Sequence, residues 1–348
     1  MAVREQLITD HYAIYNGDSC EVLPTLPAES IGLSVYSPPF GGMLYQYSSD
    51  AADLSNTKDY DEFFEHYGFI VRELHRLTMP GRMTAVHCMD IMRGGAPASQ
   101  IDFPGHLIRA HEENGWKYAM RFHIWKEPLT VRNRTMVRSL HHATLVEDST
   151  LLSNAGADYL LVFRRSGENK VPVTHERGLL RYAGAGRGEN LSEPADGIPP
   201  EAMKYRGHKG NQINNAYSQW IWRQYASSNW YDIRVDRTLG KGASLYSNNR
   251  AEKEESDEKH MHPLQLDVIE RCIELWSNPG ETVLTPFLGI GSEVYAAVSN
   301  GRRGIGVELK NAYYQQAVKH LASVEMPKDE DERSLFDDEQ LAATEATA

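Results

Sequence analysis

Cysteine and long apolar runs are the scarcest features of this chain of 348 residues. Its three cysteines, Cys20, Cys88 and Cys272, lie far apart, which excludes a disulfide framework and a cysteine-based zinc site. No apolar run approaches the roughly 20 residues that a membrane-spanning helix needs, and the N-terminal residues lack the apolar core of a secretory signal. We therefore expect a cytoplasmic protein that binds no membrane and no metal ion.

Positive charge is also in short supply, because 36 Lys and Arg residues face 48 Asp and Glu residues, for a formal net charge of −12. This balance at first argues against a nucleic-acid partner. The acidic residues, however, concentrate in the segments 252–258 and 325–348, whereas basic residues outnumber acidic ones between residues 121 and 250. Local charge governs phosphate binding more than net charge does, so a polyanionic partner is compatible with the sequence.

Strand and helix patterns alternate along most of the chain. The apolar run Ile31 to Tyr36 is typical of a strand buried on both faces, and apolar residues then recur at helical spacing from Tyr60 to Leu77. Pro80-Gly81 is expected to end that helix. The alternation continues, so it predicts a parallel sheet with crossover helices, formed by further strands over 83–89, 118–125, 158–163, 282–284 and 304–307.

The periodic pattern is interrupted once and ends before the C-terminus. Residues 164–259 are rich in Gly, Asn, Arg and aromatic residues, and we interpret them as an irregular insertion. The sequence thus predicts a domain in two halves, 1–163 and 260–324, followed by an acidic and disordered tail over 325–348. Trp220, Trp222 and Trp230 of the insertion could stack on bases or form the core of a small domain.

A glycine turn follows the strand at residue 284. Gly289 and Gly291 would let the backbone approach a ligand closely, and Glu308 ends the next strand, where an acid binds a ribose diol. These features fit either a dinucleotide or an adenosyl cofactor. The third glycine of a pyrophosphate site is absent, because Val294 stands in that neighbourhood, and Pro286-Phe287 is foreign to the dinucleotide fingerprint. An adenosyl cofactor is therefore favoured.

A rigid turn, Ser37-Pro38-Pro39-Phe40, follows the strand Ile31 to Tyr36. Two prolines stop the strand at its carboxyl end, which is where open α/β sheets bind ligands. The side-chain oxygen of Ser37 and the carbonyl of Pro38 could accept hydrogen bonds from an amino group and orient its poorly nucleophilic nitrogen. Phe40 offers a ring on which an extruded base could stack. The turn therefore fits methyl transfer to the amino group of a base.

These segments resemble those of the β group of DNA amino-methyltransferases, which modify cytosine N4 or adenine N6. Ser37 to Phe40 resembles the catalytic tetrapeptide. Three further segments resemble the cofactor-binding segments, namely His262 to Gln265, Pro286 to Ser292 and Arg303 to Glu308. The order of the motifs, with the catalytic turn first, recognition region second and cofactor turn last, is the circularly permuted order of this group. The segments 229–239 and 260–308 look most like members encoded by phages and prophages.

The resemblance implies a Rossmann-like, S-adenosylmethionine-dependent fold with a mixed seven-stranded sheet, helices on both faces and an inserted target-recognition domain. It implies that Ser37, Pro38, Pro39 and Phe40 hold a flipped base in double-stranded DNA. The residues implied to hold S-adenosylmethionine are Asp18, His262, Pro286, Phe287, Gly289, Gly291, Ser292 and Glu308. The loop 126–142 is expected to contact phosphates through Lys126, Arg132, Arg134 and Arg138.

Two departures from the family pattern bear on function. Thr285 stands where many relatives have an acid near the amino group of the cofactor. Ser37 stands where adenine-modifying members usually have Asp or Asn, which favours cytosine N4 and leaves adenine N6 as the alternative. A nicotinamide-dependent oxidoreductase, a DNA-binding module without activity, and a methyltransferase for RNA or a small molecule are further alternatives. The sequence decides neither a homodimer nor a restriction partner.

Overall fold

The computed structural model describes residues 3–40, 50, 52–93, 99–135, 137–176, 178–179, 181–185, 216–239 and 264–324. Within these ranges the strands are β1 (Val3–Ile8), β2 (Tyr12–Gly17), β3 (Ile31–Tyr36), β4 (Thr78–Met89), β5 (Ile91–Arg93), β6 (Ser99–Ile101), β7 (Trp116–Ile124), β8 (Asp158–Arg165), β9 (Asn229–Trp230), β10 (Thr282–Thr285) and β11 (Arg303–Glu308). The α-helices are α1 (Ser19–Val22), α2 (Tyr60–Leu77), α3 (Phe103–Glu113), α4 (Pro128–Thr135), α5 (His142–Glu147), α6 (Ala216–Tyr225), α7 (Leu266–Trp276), α8 (Ser292–Ser299) and α9 (Asn311–Leu321).

One mixed sheet organises the described residues, with the strand order β1-β2-β11-β10-β3-β4-β8-β7-β9. The five strands from β2 to β4 in this order are parallel, whereas β8 runs antiparallel to both β4 and β7. The predicted α/β, Rossmann-like fold class is confirmed. The sheet has nine strands rather than the expected seven, because β1 pairs with β2 at one edge and β9 pairs with β7 at the other.

Helices cover both faces of the sheet, so every residue of β3 is buried, as its apolar run predicted. Tyr36 of β3 packs with α2 and α3 on one face. Leu33 and Val35 pack with α7 on the other. The central strands therefore deliver their carboxyl ends to one edge of the sheet between two helical layers, and that edge is where ligands bind in such folds.

Helix α2 spans Tyr60–Leu77, as its apolar spacing predicted, and it begins at a side-chain cap. The carboxylate of Asp59 accepts a hydrogen bond from the N–H of Glu62 (2.9 Å), which is typical of an N-cap. The helix ends at Leu77, and Pro80-Gly81 lies inside β4, so the expectation that these two residues end it was wrong. The backbone turns extended at Thr78, whose hydroxyl donates to the carbonyl of Leu74 (2.8 Å).

The described part of the segment 164–259 packs on the sheet domain through α7. The fully buried guanidinium of Arg271 donates to the carbonyl of Ala183 (2.8 Å) and to Asp232 (2.7 Å). It also lies 4.7 Å from the ring centre of Tyr225 and 4.8 Å from that of Trp230. Trp220 and Trp230 are buried core residues, whereas Trp222 is 54% exposed. In the described ranges no helix is long and apolar enough to cross a membrane.

Candidate active site

The turn Ser37 to Phe40 leaves the end of β3, next to the end of β10. The preceding residue, Tyr36, anchors the turn in the core, because its hydroxyl lies 3.0 Å from that of Tyr67 and 3.2 Å from Nε2 of His111. Burial lowers the pKa of His111 to about 4, so its ring stays neutral near pH 7. The ring of Tyr36 also lies 5.8 Å from that of Phe287, measured between ring centres. The glycine turn therefore packs near the end of β3, from which the predicted catalytic turn begins.

The glycine turn joins β10 to α8 and needs glycine for its backbone. Gly289 has a φ of +53° and Gly291, the N-cap of α8, has a φ of +100°. A side chain at Gly291 would also meet Cβ of Ala317 at 3.3 Å. The hydroxyl of Ser19 donates to the carbonyl of Pro286 (2.6 Å), so α1 fixes the start of the turn. Helix α1 therefore contacts the start of the glycine turn, and Ala317 of helix α9 packs close to its end.

Glu308 is bonded to the glycine turn. One carboxylate oxygen accepts a hydrogen bond from the N–H of Gly289 (2.8 Å), and the other accepts one from the N–H of Lys310 (2.9 Å). Burial raises the pKa of Glu308 to about 7, and the nearby Asp53 adds to this shift against the opposing backbone hydrogen bonds. The acid is therefore held in one orientation at the end of β11, beside the point where a ligand can approach the backbone of Gly289.

A single cleft with an empty volume of about 1080 Å³, including its opening to solvent, connects these features. Most of the predicted catalytic and cofactor residues line it together, namely Asp18, Ser37, Pro38, Pro39, Phe40, Pro286, Phe287, Gly289, Ser292 and Glu308. Gly291 does not line the cleft, and His262 lies outside the described residues. Phe40 exposes little surface to the cleft, because its side chain is only 7% exposed and its ring centre lies 6.2 Å from that of Phe103.

The walls of the cleft are strongly acidic. Its charged lining residues are Lys310 and four acids, Asp18, Asp53, Glu293 and Glu308. The sequence reasoning missed Asp53 and Glu293. Asp53 follows a non-periodic loop and gives no pattern, whereas Glu293 comes directly after Ser292 and its place in the turn was a usable signal. Thr285, in contrast, is fully buried and does not line the cleft.

The four predicted phosphate-binding residues differ in their surroundings. Lys126 forms an ion pair with the buried carboxylate of Asp158; burial alone would raise the pKa of Asp158, yet Lys126 and His87 hold it well below its usual range. Arg132 donates to the side chain of Asn133 (2.8 Å). Arg138 is 85% exposed and pairs weakly with Glu147 (3.3 Å). Arg134 lies in α4, with its side chain outside the described part.

A family model described as DNA methylase matches residues 31–319, which is most of the chain. The chain belongs to the DNA methylase family. The methylase is 36% identical to the DNA adenine methyltransferase YhdJ of Escherichia coli (strain K12) over 315 residues, 88% of this chain and 82% of that protein. A shorter match, 38% identical over 80 residues, links it to the putative methylase YubD of the same strain and covers 23% of this chain and 32% of YubD.

The methylase also shares its fold with TTHA0409 of Thermus thermophilus, a structure in complex with S-adenosyl-L-methionine. The TM-score is 0.54 at 20% identity, over 90% of this chain and 95% of that one. The predicted enzyme class, an S-adenosylmethionine-dependent DNA methyltransferase that acts on amino groups, is confirmed. The described residues fit this cofactor, because its ammonium group and ribose hydroxyls are hydrogen-bond donors and the cleft offers four acidic side chains as acceptors against one lysine.

Proposed function

We propose that the methylase transfers a methyl group to N4 of a cytosine that is turned out of double-stranded DNA. The observation that carries this proposal is the cleft itself, because the turn of Ser37 and Pro38 and the acid Glu308 line one continuous space. A base held at the turn and an adenosyl cofactor held at Glu308 would therefore share a site. Neither dinucleotide chemistry nor DNA binding without activity gives the Ser-Pro-Pro-Phe turn a purpose.

The chemistry of the turn follows from the acceptors that it offers. The amino nitrogen of cytosine is a weak nucleophile because its lone pair is delocalised into the ring. Ser37 and the carbonyl of Pro38 accept hydrogen bonds from the two amino hydrogens, which localises the lone pair and aims it along the cleft. Proline contributes by fixing the backbone and by removing an N–H donor from the turn. Phe40, which lines the cleft beside the turn, would contact the base through the small part of its ring that is exposed.

The glycine turn and its neighbours hold the cofactor. Glu308 binds the ribose diol, since its two oxygens are already oriented by Gly289 and Lys310. Phe287, Asp18 and Ser292 line the same cleft and would contact the cofactor there. S-adenosylmethionine, when bound, supplies the electrophilic methyl group. No metal ion and no covalent enzyme intermediate are required for this transfer.

Ser37 favours cytosine over adenine. A neutral hydroxyl replaces the Asp or Asn that adenine-modifying members usually carry at this position. Adenine N6 is the second candidate, and one specific observation favours it: YhdJ, at 36% identity over 88% of this chain, is named an adenine methyltransferase. The two candidates share the turn, the cofactor and the cleft, and they differ only in the base that the turn accepts.

The DNA would be gripped outside the cleft. The segment 164–259 is proposed as the target-recognition region, and Arg132, Arg134 and Arg138 as phosphate contacts. Arg138 suits this role best because its guanidinium is 85% exposed and its pair with Glu147 is solvent-accessible and weak. Lys126 would act differently, because its ammonium group already neutralises Asp158 and so fixes the start of the basic loop.

Mass spectrometry of nucleosides tests the proposal. Purified full-length protein is incubated with S-adenosylmethionine and unmethylated genomic DNA, which is then digested to nucleosides. N4-methylcytosine is the expected product. N6-methyladenine would replace the proposal with the second candidate, and neither product from a protein that binds the cofactor would refute DNA amino groups as its substrate. The same assay on Ser37→Ala tests the role of the turn. Ser323→Ala is its matched control, because Ser323 is exposed and does not line the cleft.

A further inference from the structure

Glu293 is a buried acid in the wall of the cleft. It is the second residue of α8, it is 5% exposed, and it lines the same space as Ser37 and Glu308. Among the residues that the structure describes, no Lys, Arg or His lies within ion-pair distance of its carboxylate. Burying a carboxyl without a charged partner is costly, so this arrangement calls for a cause.

The other three acids of the cleft each accept a hydrogen bond from a backbone N–H group. Asp18 caps α1 by accepting from the N–H of Cys20 (2.8 Å), and Asp53 accepts from the N–H of Ser55 (2.8 Å). Glu308 is bonded to Gly289 and Lys310. Glu293 alone has no such hydrogen bond from another residue of the described ranges. Its position in the first turn of α8 favours a negative charge, but an exposed acid would satisfy the helix equally well.

Charge points to a cationic ligand for Glu293. Burial raises its pKa to about 8 against the hydrogen bond from its own backbone N–H, and the neighbouring Glu308 adds to the rise, so most of the population is protonated near neutral pH when no cation is present. A cation placed against the carboxylate would restore the ionised form. Lys310 does not do so, because its ammonium group lies over the ring of Tyr313, 4.5 Å from the ring centre.

We propose that Glu293 binds the ammonium group at the amino-acid end of S-adenosylmethionine, an assignment that rests on the proposed function. The cofactor has two cationic centres, and only the ammonium group carries N–H donors for a charge-assisted hydrogen bond with a carboxylate. Glu308 serves the ribose at the end of β11, whereas Glu293 lies beyond the glycine turn at the start of α8. Thr285 is neutral and does not line the cleft, so it does not take this role.

Binding measurements with three ligands test the assignment. Dissociation constants are measured by calorimetry for S-adenosylmethionine, S-adenosylhomocysteine and 5′-methylthioadenosine, which lacks the amino-acid end. Glu293→Gln should weaken the first two roughly 10- to 100-fold, the change expected when a charge-assisted hydrogen bond is lost. It should leave 5′-methylthioadenosine unchanged. Glu308→Gln should weaken all three, and the exposed Glu112→Gln should weaken none.

The remaining outcomes distinguish failure of the Glu293 assignment from failure of the proposed function. Equal weakening of all three ligands by Glu293→Gln would place Glu293 at the adenosine end, and weakening of S-adenosylmethionine alone would place it at the sulfonium. Unchanged affinity for every ligand would show that Glu293 has no ligand role. Each of these results overturns the assignment. Wild-type protein that binds none of the three ligands would instead refute the proposed function. Thermal unfolding of each variant confirms that it is folded.

Discussion

Glu308 accepts a 2.8 Å hydrogen bond from the N–H of Gly289, so the acid at the end of β11 is part of the same wall as the glycine turn after β10. The two residues are 19 positions apart in the chain. Their contact exists because β10 and β11 are parallel neighbours, with Thr285 opposite Gly306. A ligand that bonds Glu308 is thereby brought against the backbone of Gly289, which has no side chain to keep it away.

Replacing Glu308 should weaken the cofactor without unfolding the site. Glu308→Gln keeps the shape and one acceptor for the N–H of Gly289, but it removes the acceptor of the N–H of Lys310 and the charge that favours two hydroxyl donors. We expect affinity for S-adenosylhomocysteine to fall roughly 10- to 100-fold, the effect of losing charged hydrogen bonds. Calorimetry measures this directly. Unchanged affinity would show that the ribose assignment is wrong.

Glu293→Gln should stabilise the protein that has no cofactor bound. The folded-state pKa of about 8 lies above the ordinary value of 4.5, so between these pH values the folded chain binds more protons than the unfolded chain. Stability contributed by this group is therefore present at low pH and lost as pH rises through about 8. The neutral amide avoids that loss. Each pKa unit corresponds to about 1.4 kcal/mol, so the gain should be a few kcal/mol at most.

The stabilisation should depend on pH in one direction. Thermal unfolding of wild type and Glu293→Gln should differ clearly in slightly alkaline buffer and converge only in acidic buffer below the ordinary carboxyl pKa of 4.5. Glu112→Gln, which replaces an exposed acid of α3, should show no comparable difference. A larger gain in acid than in alkali would contradict the burial argument for Glu293.

Arg271 should contribute strongly to the contact between α7 and the described part of the segment 164–259, beside the ion pairs of Arg234 and Arg237 with Asp267. Arg271→Ala removes a fully buried cation that packs on aromatic rings, and it leaves the carboxylate of Asp232 with the hydroxyl of Tyr182 but without its cationic partner. Breaking a buried pair in this way costs about 3–5 kcal/mol. Arg72→Ala is the matched control, since the guanidinium of Arg72 is exposed and lies over the ring of Phe69. Urea unfolding measures both, and similar losses for the two variants would refute the role of Arg271.

Local pattern was enough to predict the parts of the site that lie in single segments. The apolar run of β3, the two prolines that end it and the glycines after β10 each carry their own signal. Their residues meet because parallel strands end at the same edge of the sheet. No single segment predicts by itself that these residues lie together. The order of the motifs along the chain indicated the fold that brings them together.

The features that the sequence did not predict depend on contacts between distant residues. Lys126 pairs with Asp158 only because β7 and β8 are antiparallel neighbours, with Ile124 opposite Asp158. Strand β9 has two residues and no pattern of its own, and it forms because Trp230 stacks on Phe122 with ring centres 4.5 Å apart. The burial of Glu293 likewise follows from how α8 packs, which its charge gave no reason to expect.

Methyl transfer by Ser37→Ala is the measurement that tests the joint site most directly. Wild type, Ser37→Ala and Ser323→Ala are given labelled S-adenosylmethionine and unmethylated DNA, and label in DNA and affinity for S-adenosylhomocysteine are measured on the same preparations. We predict that the turnover of Ser37→Ala falls roughly 10²-fold or more, which is the usual effect of removing a group that stabilises the transition state by a hydrogen bond. Its cofactor affinity should match that of Ser323→Ala and wild type. Full turnover by Ser37→Ala would contradict the proposal that this turn holds the base.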